Sequence, residues 1–388
     1  MEFKDFCVPA RFNNLNFPIK KGKGALLDNV KFFSGEENFS LDGFDLAIIG
    51  IEEGVYLDSS LDDILSSTSN LMRSYIYHLK SIDNVKIVDL GNLVGKTKAD
   101  NKFLLLEVLS FLNTKGITAI IIGGTDEFCV TQCEAVREIT SDERLNLTII
   151  DSCINGGFDV DEDLTNNYLT PIIDLKNFDL TLLGIQNYYN SKVQDLYVEN
   201  KFIDVIRLKD LRDQNIINAE VPLRDSSVIV FDLLAFSSSS LSANKEPRPN
   251  GLSSLDGCQL GWYSGISDKV KSFSVCNFEQ SYDVNRQSVA LVGQIIWHFI
   301  SGFSNKSHQN SLKDVTSFQK FNVHLEKYGV YIDFFSSPDG YRWWMEVIDN
   351  EKSLVVSCNK SDYYEALQGE MPKKWWRYFM RNQFLGNS

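Results

Sequence analysis

Short apolar runs that stop abruptly at small or acidic residues recur along this chain, and they constrain its fold more than any other feature. The run at 44–51 reads FDLAIIGI, 117–122 reads ITAIII and closes on Gly123-Gly124, 145–151 reads LNLTIID, and 227–233 reads SVIVFDL. Each is strand-length and apolar at successive positions, so both of its faces have to be covered. Further runs of this kind stand at 85–90, 180–186, 203–208 and 271–278. Between them, 61–79, 100–114, 126–140, 255–264 and 288–300 carry apolar residues at helical spacing. Gly116 is placed to stop the second of these helices and Thr125 to cap the third. Strands covered on both faces and alternating with helices predict an α/β fold in three layers, a parallel sheet with helices on both faces and right-handed crossovers.

The pattern changes after residue 305. The stretches 321–335, 342–347 and 353–357 read as strands, and Trp343, Trp344, Trp375 and Trp376 fall in this part. We expect an α/β domain over 1–305 and a β-rich aromatic extension over 306–388 packed against it. The basic, aromatic segment KKWWRY at 373–378 reads as an amphipathic end docking on the body, with a partner-binding tail as the other reading.

Composition narrows the function classes. A length of 388 residues with 43% hydrophobic side chains is enough for a large core. A net charge of -14 repels phosphate backbones and anionic lipid surfaces, which argues against nucleic acid and against membrane docking. The longest apolar runs are far short of a membrane span, and the first ten residues lack a signal-peptide pattern. Seven cysteines without a CxxC fit reduced thiols, and a cytoplasmic location is expected. Protein partners and a homo-oligomer are expected as well.

In a parallel α/β sheet, ligands bind outside the carboxyl ends of the strands. Four strand ends here are polar: 123–126 (GGTD), 151–155 (DSCIN), 231–234 (FDLL) and 277–279 (NFE). Convergence of Asp126, Asp151, Asp232 and Glu279 on one cleft would make a metal or acid/base site. The serine run at 237–240 has no nucleophile elbow around it, and no P-loop or GxGxxG follows any strand.

In order and spacing these four ends resemble the arginase (ureohydrolase) family. Its members carry a GGDH end, a DAHxD end, an SFDxD end followed by a proline- and glycine-rich loop, and a later glutamate in an E-x-N-P segment. The loop matches PRPNGL at 247–252, Glu279 falls where the family's substrate-binding glutamate falls, and Trp297 and His298 lie in the helix that follows. That resemblance covers roughly 40–302. The segments VPLRD at 221–225, GCQ at 257–259, WYSGISDK at 262–269, YRWWME at 341–346 and PKKWW at 372–376 are similar to the arginase-family proteins of Bacteroidota often labelled formimidoylglutamase. Their genes frequently lie beside gliding-motility and type IX secretion genes, and a link to those systems is what the resemblance implies.

The resemblance also implies two manganese ions held by histidines and aspartates, and here the chain departs from the family. Asp126 stands for the GGDH histidine. Asp151 is kept, but Cys153 replaces the histidine and Asn155 the second aspartate of DAHxD. Asp232 is kept, and Leu234 replaces the second aspartate of SFDxD. No histidine occurs at 166–170, and His78, His298, His308 and His324 lie away from these motifs. Adjacent divalent ions need anionic ligands between them, and Asn155 and Leu234 remove that charge. The expectation is a dismantled site with no cofactor, with a single cation on Asp126, Asp151 and Asp232 (Cys153 beside them) as the residual option and manganese as the alternative. The expected function is a catalytically inactive scaffold or binding component. The alternative is a metal-dependent amidinohydrolase acting on a guanidino or formimino C–N bond, and a third option is a sensor holding a cationic ligand on Glu279.

Overall fold

A computed structural model describes residues 2–11, 21–52, 67–140, 144–155, 168–175, 178–212, 215–306, 318–349 and 352–385. The α/β part is built on ten strands. They are β1 (Cys7–Val8), β2 (Val30–Phe32), β3 (Leu46–Ile51), β4 (Ile87–Leu93), β5 (Thr118–Gly123), β6 (Leu145–Ile150), β7 (Phe178–Ile185), β8 (Asp204–Arg207), β9 (Val228–Asp232) and β10 (Ser272–Cys276). Their order is β1-β4-β3-β5-β10-β9-β6-β7-β8, with β2 also paired to β4. All pairs are parallel except the short edge strand β1, which runs antiparallel to β4. The sheet is thus mostly rather than wholly parallel.

Side chains alternate between two cores, as the period of two along a strand requires. From β3, Leu46 and Ile48 join one core while Ala47, Ile49 and Ile51 join the other; Ile120 and Ile122 of β5 part from Ala119 and Ile121 in the same way. On the first face pack α1 (Thr68–Ile76), α7 (Ser254–Gly265) and α8 (Gln287–Ser304), through residues such as Met72, Leu260, Val292 and Phe299. On the second pack α2 (Lys98–Thr114), α3 (Phe128–Ile139), α4 (Leu169–Asp174) and α5 (Lys192–Asn200), through Leu105, Leu112, Cys133, Ile172 and Val198. The expected helix at 61–79 is present from Thr68, and 61–66 lies outside the described residues.

Thr125 does not cap α3. That helix begins two residues later than expected, with Glu127 at the N-cap position, and Thr125 Oγ1 has no hydrogen-bond partner among the described residues. The reason is the turn before it. Gly123 and Gly124 both have positive φ, 88° and 72°, and a Cβ on Gly123 would stand 2.4 Å from Ile51 O. The glycine pair frees the chain from the sheet edge, and residues 125–128 close a turn that leaves Asp126 at the strand end.

One buried ion pair was not legible in the patterning. Arg73 on α1 grips Asp89 on β4 with two N–H groups at 2.7 and 3.0 Å, and also donates to Asn92 Oδ1 and Gly91 O. Both charged side chains are fully buried.

The extension forms a separate antiparallel sheet, β11 (Gln319–Leu325), β12 (Val330–Ser336), β13 (Trp343–Asp349) and β14 (Lys352–Cys358), followed by α9 (Lys360–Leu367) and α10 (Lys373–Leu385). It meets the α/β part at α6 (Glu220–Asp225). The Arg224 guanidinium lies 4.4 Å over the Trp344 ring. Asp225 accepts from Ser357 N and Ser357 Oγ, both at 2.8 Å, and pairs with Lys374 and Lys269 at 3.3 Å. Burial alone would raise the Asp225 carboxyl, but Lys269, Lys374, Arg224 and Ser357 outweigh it and hold it well below the usual range. In the KKWWRY segment, Trp375 is buried and donates to Glu346 O, Arg377 pairs with Asp204, and Trp376 stays exposed.

Candidate metal centre

Strands β5, β10, β9 and β6 are neighbours at the middle of the sheet, so their carboxyl ends open onto one place. The first carries Asp126 on its closing turn, β9 ends in Asp232, and Asp151 directly follows β6. The structure brings these three together: one carboxylate oxygen from each lies within 4.8 Å of the others, and all three side chains are buried.

Two asparagines hold the group. Asn155 Nδ2 donates to Asp126 Oδ2 at 2.9 Å and to Asp151 Oδ2 at 3.1 Å. Asn277, just beyond β10, donates to Asp232 Oδ2 at 2.6 Å. It has a φ of 60°, a left-handed conformation that asparagine tolerates better than most residues. Backbone amides supply the rest, Ser152 N to Asp151 Oδ1 at 2.5 Å and Leu234 N to Asp232 Oδ1 at 2.8 Å.

These contacts do not cancel the cost of burying three acids side by side. Burial raises the Asp126 carboxyl, against donation from Asn155 and Asn277. Burial and the neighbouring Asp126 push Asp151 up to about 7, and burial with Asp151 and Asp126 holds Asp232 well above the carboxylate range. Without a counterion the cluster therefore retains protons near neutral pH.

The remaining expected positions take other roles. Cys153 is a neutral thiol: burial, Asp151 and Asp232 push it far up, and its Sγ lies 3.2 Å from Asn155 Oδ1, to which it donates. That contact turns the Asn155 amide so that its NH₂ faces the carboxylates. Leu234 offers its backbone N–H and nothing else. Glu279 is exposed on the loop after β10 and is not one of the three clustered acids; Asn277, two residues earlier, meets them instead. His298 lies in an aromatic surface groove with Trp297 and Trp262, between α7 and α8. His78, just past α1, bonds to Ser74 O of that helix, His324 stacks on Tyr331 in the extension, and His308 lies outside the described residues.

Two residues near the cluster gave no sequence signal. Tyr168, within the 166–170 window that holds no histidine, is fully buried and its hydroxyl has no hydrogen-bond partner among the described residues. Burial, Asp151 and Asp126 all raise its phenol. Arg248, between the two prolines of the 247–252 loop, is buried and its charge acts on Asp151 and Cys153.

Three carboxylate oxygens converging at this distance suit one hard divalent ion such as manganese or magnesium. Among the described residues nothing would hold a second ion: no fourth carboxylate and no imidazole joins the group, and Cys153 donates to Asn155 as a thiol.

No family model matches the chain, and no curated protein sequence does. Solved structures do. The chain is similar to Trypanosoma cruzi formiminoglutamase with Mn2+2, with a TM-score of 0.59 and 15% identity over 68% of this chain and 94% of that one. The formimidoylglutamase from Bacillus subtilis gives a TM-score of 0.61 and 14% identity over 75% and 96% of the two chains. Proclavaminate amidino hydrolase from Streptomyces clavuligerus gives 0.55 and 18% over 68% and 93%. Identity this low speaks for the fold alone, and that fold is the one the motif order implied: the chain has the arginase-superfamily fold, in the form it shares with the formiminoglutamases.

Proposed function

We propose that this protein is a metal-dependent hydrolase of small amidines, cleaving a C–N bond of a guanidino or formimino compound with one divalent cation at Asp126, Asp151 and Asp232. The convergence of these three buried carboxylates at the centre of the sheet carries the reading. A cation there would polarise the amidine and lower the pKa of a bound water. The three acids would hold that ion, with Asn155 and Asn277 orienting their carboxylates. Tyr168, whose buried hydroxyl has no hydrogen-bond partner among the described residues and whose phenol is raised by burial and by Asp151 and Asp126, holds a proton it could give to a leaving amine. Elemental analysis after manganese loading is expected to give one ion per chain, and none in a variant carrying Asp151→Asn with Asp232→Asn. Release of urea, formamide or ammonia from a panel of amidines should accompany it. Metal-free protein after loading would overturn the proposal.

A second reading is a non-catalytic binding component that keeps the fold. The side chains of Leu234 and Asn155, and the lack of a histidine at the cluster among the described residues, favour it. One bound ion with no turnover of any amidine would select it. The link to gliding motility and type IX secretion, protein partners and a homo-oligomer belong to this second reading as proposals; a pull-down with and without 372–388 tests the tail's part in them.

A further inference from the structure

We propose that Asn190 and Gln194 are positioning residues of the candidate metal centre: they clamp the backbone of Ile154 and so fix the loop that carries Asp151, Cys153 and Asn155. The proposal rests on the metal reading for the ion, but not for the geometry of the loop. Asn190 Oδ1 accepts from Ile154 N at 2.8 Å, and Gln194 Nε2 donates to Ile154 O at 2.7 Å. Ile154 is only 2% exposed, so neither of its backbone groups can turn to water and each needs a partner. Sheet pairing does not supply one. Strand β6 ends at Ile150; beyond it, Asp151 N still donates to Leu183 O and Gln186 N to Ser152 O, and from there side chains take over.

Both clamping side chains are themselves held. Asn190 Nδ2 donates to Gln186 O at 2.9 Å, which ties it to the end of β7. Gln194 is the third residue of α5; its Oε1 accepts from Ser191 N at 2.8 Å, while Ser191 Oγ accepts from Gln194 N at 3.2 Å. The helix start thus uses one end of the Gln194 amide and the metal-site loop uses the other. Ile154 stands between Cys153 and Asn155, so its backbone sets where both of those side chains leave the chain. Asn155 Nδ2 reaches Asp126 at 2.9 Å and Asp151 at 3.1 Å, and a shift of about 1 Å would carry it beyond the range of a good N–H···O bond to one of them. Groups that orient metal ligands from behind in this way change metal affinity by about 10–100-fold when removed.

The experiment is calorimetric titration of manganese into the full chain in wild type, Gln194→Glu, Asn190→Leu and Asn190→Asp, with urea unfolding in chelator alongside. Gln194→Glu keeps the acceptor for Ser191 N and loses the donor to Ile154 O; its added negative charge by itself favours a cation, so weaker binding has to come from the loop. Gln194→Glu and Asn190→Leu are expected to bind manganese at least tenfold more weakly than wild type. Asn190→Asp, which keeps the oxygen facing Ile154 N, is expected to restore most of what Asn190→Leu loses. Wild-type affinity in Gln194→Glu and Asn190→Leu, with or without a lower urea midpoint, overturns the proposal, because a merely structural role moves stability alone. Should Asn190→Leu fail to fold, Gln194→Glu, with its helix start intact, decides. The metal reading fails separately. If wild type binds no manganese, alkylation of Cys153 by iodoacetamide, read by peptide mass, decides instead: a rate at least fivefold higher in Gln194→Glu than in wild type supports the clamp, and an unchanged rate overturns it.

Discussion

Asn155 Nδ2 lies 2.9 Å from Asp126 Oδ2 and places a neutral donor where the motif order leads one to expect a further acid. Asn155→Asp exchanges that donor for a fourth carboxylate. In the absence of metal this should destabilise the protein by roughly 1–3 kcal/mol, because a buried donor is lost and a like charge gained. With manganese the order should invert, and the variant should bind the ion at least tenfold more tightly than wild type. Thermal melts and metal titrations on the same preparations check both halves.

The three acids give the metal-free protein an unusual response to pH. Their carboxyls are raised in the folded state, Asp151 to about 7, so between the unfolded carboxylate range and that value the folded chain binds more protons than the unfolded one. Stability then falls as pH rises through this window. Melting temperature in chelator should drop from about pH 5 to about pH 8, and the gain on adding manganese should be larger at the higher pH. Asp151→Asn should flatten the slope; a flat wild-type profile would remove the electrostatic argument.

Asp225 has the opposite sign. Held low by Lys269, Lys374, Arg224 and Ser357, it contributes stability that is present above the unfolded carboxylate value of about 4 and lost as pH falls below it. Asp225→Asn should cost about 3 kcal/mol near neutral pH, as the loss of one partner from a buried ion pair does, and less in acid. Because Asp225 receives Ser357 and Lys374 from the extension, amide exchange in β14 should rise with it.

Arg73 and Asp89 test the sheet independently of the site. Both side chains are fully buried, so Asp89→Asn leaves a guanidinium without its countercharge and should cost about 3–5 kcal/mol. Urea unfolding should show it, while manganese binding by the folded fraction should not change.

The sheet was readable from local pattern because covering both faces of a strand leaves a run of apolar residues that little else produces. Leu46 to Ile51 and Thr118 to Gly123 announce themselves in this way, and a strand's end tells where its polar residue will lie. Asp126, Asp151 and Asp232 could therefore be placed at strand ends from sequence, while the strand order that brings those ends together came from the tertiary structure. Thr125 could not be judged, since it resembles any capping threonine until the positive φ of Gly123 and Gly124 redirects the turn.

By itself the sequence determined the layers, the strand ends and which ligand types were missing, because these depend on neighbours along the chain. Only the tertiary structure decided that Asn277 rather than Glu279 meets the acids, that Cys153 donates to Asn155, and that Tyr168 and Arg248 are buried with polar atoms unpaired among the described residues. Those outcomes depend on distance, burial and hydrogen-bond direction between segments far apart in sequence, and no periodicity along the chain encodes them.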